Sequence, residues 1–249
     1  MREELIGLIP AAGKGLRLGL PYPKELYPII RDNRYKPVAQ FVLDNLTAAG
    51  LRHVVFVVNE TKHQLIGYFG SGRRFGCNIS YVIQETLEAT EYSTSPGLAV
   101  ALDSAYHLTK DKTVCFGMAD TIMQPVGVIR QALADAKPDD DVLLVTFRTE
   151  RPEKFGMVSM DDDGRVREIV DKPRVTNLKE MWGCIVWRPQ FTEHLHEAVG
   201  QGIGDFAEIM NNALAKGFRF RAVRAADSTY IDLGTYEEIL EIDHRYREE

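Results

Sequence analysis

The chain predicts an α/β fold with a mostly parallel central sheet flanked by helices and a smaller mixed β sub-region in its second half. Three observations carry this. In the first half, short runs rich in Val, Ile and Phe alternate with amphipathic segments of helical spacing, and strand alternating with helix covers both faces of a parallel sheet. In the second half, strand-like runs follow one another across tight turns. At 249 residues and 45% hydrophobic content, the chain can bury a sizeable core without disulfide or metal staples. Together these describe a Rossmann-like arrangement.

Residues 5–9 form an apolar run of strand length that enters a glycine-bearing loop. Residues 38–49 place Val38, Phe41, Val42, Asn45 and Leu46 at helical spacing, and Gly50 stops the helix. Residues 53–58, 79–83, 113–116 and 142–147 read as buried strands, with helices over 62–69, 97–108 and 125–136 between them. Residues 155–160 and 166–170 flank Asp161-Asp162-Asp163-Gly164, a strong hairpin turn signal. Strands at 181–187, 218–224 and 229–232 and helices at 189–199, 205–216 and 236–246 complete the chain. With no internal repeat, low-complexity stretch or flexible linker, residues 1–249 read as a single domain.

Bulk properties exclude several functions. A formal net charge of −6 argues against nonspecific binding to nucleic acid or an anionic membrane, so a polyanionic ligand must be met by a local basic cluster. The three cysteines, Cys77, Cys115 and Cys184, read as buried hydrophobes in a reducing compartment. No apolar run approaches membrane-spanning length, and Met1-Arg2-Glu3-Glu4 shows no signal-peptide pattern. The expectation is a cytoplasmic protein, with homo-oligomerisation left open.

The loop after the first strand holds Gly13, Gly15, Arg17 and Lys24. Small residues let backbone N–H groups approach a phosphate, and the two cations sit where negative charge would collect. The loop is not a Walker A motif, because five residues rather than four separate Gly7 from Gly13 and Gly15 follows Lys14. Nor is it the dinucleotide fingerprint, since Leu18 occupies the third glycine position. Further on, Asp120 ends the strand Val114-Cys115-Phe116-Gly117-Met118-Ala119; a carboxylate there is either a helix cap or a metal ligand. Asp232 precedes the last helix, where Thr235 could serve as cap instead.

The ordered segments Ala-Ala-Gly-Lys-Gly-Leu-Arg (11–17), Pro-Lys-Glu-Leu-Tyr-Pro-Ile (23–29) and Lys36-Pro37 resemble the signature of the sugar-phosphate nucleotidyltransferases, and later segments extend the match along nearly the whole chain. The resemblance implies an enzyme that joins a nucleoside triphosphate, dTTP or UTP, to a hexose 1-phosphate, releasing pyrophosphate. It implies that Ala11, Ala12 and Gly13 lie along the nucleotide, that Arg17 and Lys24 are catalytic cations on the triphosphate, and that Asp120 and Asp232 hold Mg2+. Gln84 and Gly97 match positions that read a uracil or thymine edge. Gly156, Asp171, Lys172 and Gly183 match the sugar-phosphate side. Departures are Ala119 where glycine is commoner, a long 85–96 segment, Asp171 in place of Glu, and Trp182 in place of a smaller residue.

Three rivals are weighed. A glycosyltransferase would show an Asp-x-Asp motif, but Met118 and Ile122 flank Asp120 at two residues. A cytidylyltransferase acting on a polyol, isoprenoid or amino-alcohol phosphate differs mainly in base and acceptor pockets. A noncatalytic regulatory relative would have no need to keep Arg17, Lys24, Asp120, Lys172 and Asp232 together. His194 and His196 are two apart and face different ways on a helix, and the aspartate runs 139–141 and 161–163 read as solvated turns. Glu237, Glu238 and Glu241 read as the wet face of the last helix.

Overall fold

A computed structural model describes residues 4–13, 15, 18–31, 34–85, 97–240 and 242. In chain order the elements are β1 (Leu5–Pro10), β2 (Pro28–Arg31), β3 (Arg34–Pro37), α1 (Val38–Ala48), β4 (His53–Val58), α2 (His63–Phe69) and β5 (Asn78–Ile83). There follow α3 (Leu98–Asp103), α4 (Tyr106–Thr109), β6 (Thr113–Gly117), β7 (Thr121–Gln124), α5 (Val128–Asp135) and β8 (Val142–Arg148). The rest are β9 (Gly156–Met160), β10 (Val166–Asp171), β11 (Glu180–Trp187), α6 (Pro189–Gly200), α7 (Phe206–Ala215), β12 (Phe220–Arg224) and β13 (Thr229–Asp232). Residues 236–240 are helical.

The central sheet runs β5-β4-β1-β6-β11-β8-β12, with the β9–β10 hairpin joined to β11 through Met181 and Met157. β4, β5 and β6 lie parallel in register with the β1 side of the sheet, and β12 is parallel to β8. β11 alone in that row is antiparallel to both neighbours. Both faces are buried, which is why the strands read as continuous apolar runs. Ile6, Leu8, Val55 and Val57 pack into one core cluster, while Ile9, Val54, Phe56 and Val58 pack into the other. A third cluster joins Leu18, Ile29, Phe41, Ile122, Leu233 and Ile239. It fastens the motif segment to β7, β13 and the last helix.

Four details differ from the sequence reading. The β2–β3 hairpin and β7 were not anticipated, because each strand has only four residues, too few for a period to register. The helix expected over 97–108 is broken into α3 and α4, where Ser104 Oγ bonds back to the Val100 carbonyl at 2.8 Å and bends the chain. The helix expected from 125 starts at Val128, after Gly127 at φ +114°. The strand expected from 218 starts at Phe220.

Candidate functional site

The site forms at the carboxyl edge of the parallel strands, where ligands of open α/β sheets bind. Asp120 follows β6, and the chain then turns into β7. β7 pairs antiparallel with β13, setting Thr121 opposite Asp232. The Leu233 N–H donates to the Asp120 carbonyl at 2.9 Å. This two-stranded pairing brings together two aspartates 112 positions apart in the sequence. Neither caps a helix: Asp120 precedes a strand. At the helix over 236–240, Thr235 and Glu238 form a capping box, with Glu238 Oε2 accepting from the Gly234 and Thr235 N–H groups at 2.8 and 2.9 Å.

Lys24 lies in a single 3-10 turn, Lys24–Leu26, and its ammonium pairs with Asp120 Oδ2. Burial pulls the Lys24 pKa down, but the carboxylates of Asp120, Glu25 and Asp232 outweigh it and hold the ammonium above its ordinary value. Asp232 shows the opposite stress. Burial, then the charges of Asp120 and Glu238, push its carboxyl up to about 7, against the partial relief of Lys24 and Lys154. Asp120 Oδ1 is buried without a hydrogen-bond partner. Two crowded carboxylates, one with an unanswered oxygen, suit a hard divalent cation with oxygen ligands. No third His, Cys, Asp or Glu joins them among the described residues, so phosphate oxygens or water would complete such a shell.

A cavity of about 630 Å³ opens beside this pair. Asp120 and Asp232 lie on its wall together with the predicted sugar-side residues Gly156, Asp171 and Lys172 and the predicted base-side Gly97. Gly156 is needed for a close approach: a Cβ there would lie 2.2 Å from Trp182 Nε1. Gly183, also predicted on the sugar side, does not line the cavity; a Cβ there would meet Phe147 at 2.5 Å and Tyr230, which does line it, at 2.7 Å. Gly97 likewise packs against the Gly204 carbonyl, 2.6 Å from an added Cβ. Lys172 adopts φ +44°, a costly left-handed backbone, while its N–H donates to the Phe155 carbonyl at 3.0 Å. The Lys172 side chain is 61% exposed and stands 3.5 Å from Asp171, free to turn toward an anion in the cavity.

Of the nucleotide-side residues, Gly97 lines that wall, and Ala11, Ala12, Gly13 and Gln84 do not. Ala11 donates to the Val57 carbonyl at 2.7 Å, and the Ala12 carbonyl accepts from Asn59 at 2.8 Å. Gly13 has open space around its Cα, and Gly15 sits at φ +63°. Gln84 follows β5, is buried, and leaves its Nε2 donor without a partner. Arg17 and residues 86–96 lie outside the described residues.

Two acidic readings need correction. Glu238 is not on a wet face: it is buried, lines the cavity and pairs with Lys154, which lines it too. The Thr-x-x-Glu spacing of 235–238 was the signal that could have found it. Asp140 is buried too, holding Arg221 at 2.9 Å. His194 and His196 do diverge, toward the Ile209 carbonyl and Asp103 respectively. Sequence reasoning also missed the buried pair of Glu25 with Lys62, which has no periodic signal.

The sequence profile of the nucleotidyl transferase family matches residues 6–249. The chain belongs to this family. It is 25% identical, over 94% of its length, to the low-salt glycan biosynthesis nucleotidyltransferase Agl11 of Haloferax volcanii, of which it covers 64%. It is 31% identical to a glucose-1-phosphate thymidylyltransferase of Streptomyces griseus over 67% of this chain and 44% of that one. The chain thus spans 44–64% of the length of these curated relatives. A UDP-glucose pyrophosphorylase solved with UDP-glucose matches with a TM-score of 0.80 at 22% identity, over 98% of this chain and 99% of that one, a likeness of fold. Among the described residues no helix is long and apolar enough to cross a membrane.

Proposed function

We propose that this nucleotidyl transferase couples a nucleoside triphosphate, dTTP or UTP, to a hexose 1-phosphate and releases pyrophosphate. The observation that carries the reading is the meeting of Asp120 and Asp232 at the wall of a cavity that also holds Gly156 and Lys172, with Lys24 paired to Asp120. The acceptor phosphate attacks the α-phosphorus in line, and the bond to the β,γ-pyrophosphate breaks. A phosphate monoester is already largely ionised near neutral pH, so no protein base is required. The protein's task is to bring two anions together and offset their repulsion.

In this reading Lys24 faces the triphosphate, Arg17 supports it, and Lys172 turns to the acceptor phosphate. Asp120 and Asp232 hold Mg2+, which when bound neutralises phosphate charge at the reacting centre. Gln84, with its unanswered donor, reads the base edge, since one amide can donate and accept together. The relatives named for glucose-1-phosphate thymidylyl transfer and the likeness to a UDP-glucose pyrophosphorylase support this choice of substrates. The Trp182 indole, packed over Gly156 at the acceptor wall, favours one alternative, a cytidylyltransferase for a smaller polyol or amino-alcohol phosphate.

Pyrophosphate release from five triphosphates against a panel of sugar 1-phosphates and polyol phosphates separates the two. UTP or dTTP should give the highest kcat/KM with a hexose 1-phosphate, purines should be strongly rejected, and CTP should be rejected less, because a flexible amide can flip. A lead for CTP with a polyol phosphate would select the alternative. Turnover of no pair at all would remove the enzyme reading.

A further inference from the structure

We infer that Asn59 and Lys62, in the turn between β4 and α2, are positioning residues that hold the two halves of the nucleotide-binding motif in one register. The inference rests on the nucleotidyl-transfer reading and adds residues that no motif in the chain marks. The first half of the motif leaves β1 at Ala11–Gly13; the second carries Lys24. One four-residue turn touches both. Asn59 Nδ2 donates to the Ala12 carbonyl at 2.8 Å, while its Oδ1 accepts from the Thr61 N–H at 3.0 Å and the Thr61 hydroxyl at 2.7 Å, which sets the orientation of the amide. Lys62 then reaches Glu25, the residue after Lys24, with its ammonium 2.7 Å from both carboxylate oxygens. The Lys62 N–H donates to the Asn59 carbonyl at 3.1 Å, so the two contacts belong to one rigid unit.

Burial makes the pair informative. The Lys62 and Glu25 side chains are 4% and 2% exposed. Removing two charges from water costs about as much as their attraction returns, and an apolar pair of similar volume often packs as well or better. Stability alone therefore gives little reason for ions here. A two-oxygen contact to a fixed ammonium adds direction: it sets Glu25, and with it the 3-10 turn from which Lys24 meets Asp120. Lys62 and Asn59 do not line the cavity, so they act through Lys24 and Ala12 rather than on substrate.

The test compares wild type with Glu25→Met/Lys62→Met, Glu25→Asp and Asn59→Ala, by hydrogen exchange on the ligand-free chains and by steady-state pyrophosphate release with UTP. The double variant should unfold cooperatively within a few degrees of wild type. Its amides at Leu26 and Tyr27, bonded to Pro23 and Lys24 in the 3-10 turn, should exchange at least about tenfold faster. In Asn59→Ala the faster exchange should appear at Ala11 instead. In each variant kcat should fall by roughly 10- to 100-fold with KM for the sugar phosphate unchanged, as for a misplacement of about 1 Å. A folded double variant with wild-type exchange and kcat overturns the inference. If that variant fails to fold, Glu25→Asp and Asn59→Ala decide by the same two readouts. Absence of pyrophosphate release by wild type itself would count against the nucleotidyl-transfer reading alone, and unchanged exchange in the variants would still count against the clamp.

Discussion

Gly156→Ala places the wall of the cavity under direct test. The added Cβ would lie 2.2 Å from Trp182 Nε1 and 3.0 Å from both Cδ1 and Cε2 of the indole. Ordinary contact for such atoms is about 3.5 Å, so the ring must retreat by more than about 1 Å. It has little room to do so, because it packs against Phe116 and Phe206 with ring centroids 6.1 Å away in each case. Overpacking of this kind costs about 1–3 kcal/mol. For a chain of this size that lowers Tm by about 2–12 °C. Backbone strain does not contribute, since Gly156 lies in β9 without a positive φ. The cost therefore belongs to the contact with Trp182, and a double-mutant cycle with Trp182→Leu isolates it. In the leucine background Gly156→Ala should be nearly neutral, giving a coupling energy of about 1–3 kcal/mol in urea unfolding of the four proteins. A coupling energy near zero would refute the claim that the indole, rather than the strand itself, demands glycine there.

Lys24→Ala should lower kcat/KM by roughly two to four decades, as for a lost electrostatic stabiliser, and near wild-type turnover would end its phosphate role. The same change should also lower Tm, because Lys24 is largely buried and its loss leaves Asp120 beside Asp232 without its ion-pair partner. Asp120→Asn and Asp232→Asn should each raise the Mg2+ concentration needed for activity, with less than additive losses in the double variant because they serve one ion; full additivity would speak for separate roles. In metal-free buffer Asp232→Asn should also stabilise the fold at high pH. The Asp232 carboxyl keeps its proton up to about 7, against 3.8 for an ordinary aspartate, so the stability it contributes is present below about pH 4 and lost as pH rises through 7. The Tm advantage of Asp232→Asn over wild type should therefore grow from pH 5 to pH 8, and an advantage that shrinks over that range would contradict the assigned stress.

Much of this protein could be read before any coordinates. The sheet strands were legible because burial on both faces writes continuous runs such as 53–58 and 142–147, and the helices because a single buried stripe writes a 3.6-residue period. Asp120, Asp232, Lys24 and Lys172 stood out through their motifs, and the cavity wall gathers the first two with Lys172. What stayed hidden depended on partners far away in the chain. β7 is four residues long and exists because β13 pairs with it, so the adjacency of the two aspartates was invisible in either segment alone. Glu238 read as a solvated charge and the Glu25–Lys62 pair left no mark, since a charged residue in a sequence does not say which opposite charge will meet it. Periodicity reports whether a side chain faces the core, a local property repeated every two or three residues. Which buried charge meets which, and which short strands pair, is decided only when the packed core holds distant segments a few ångströms apart.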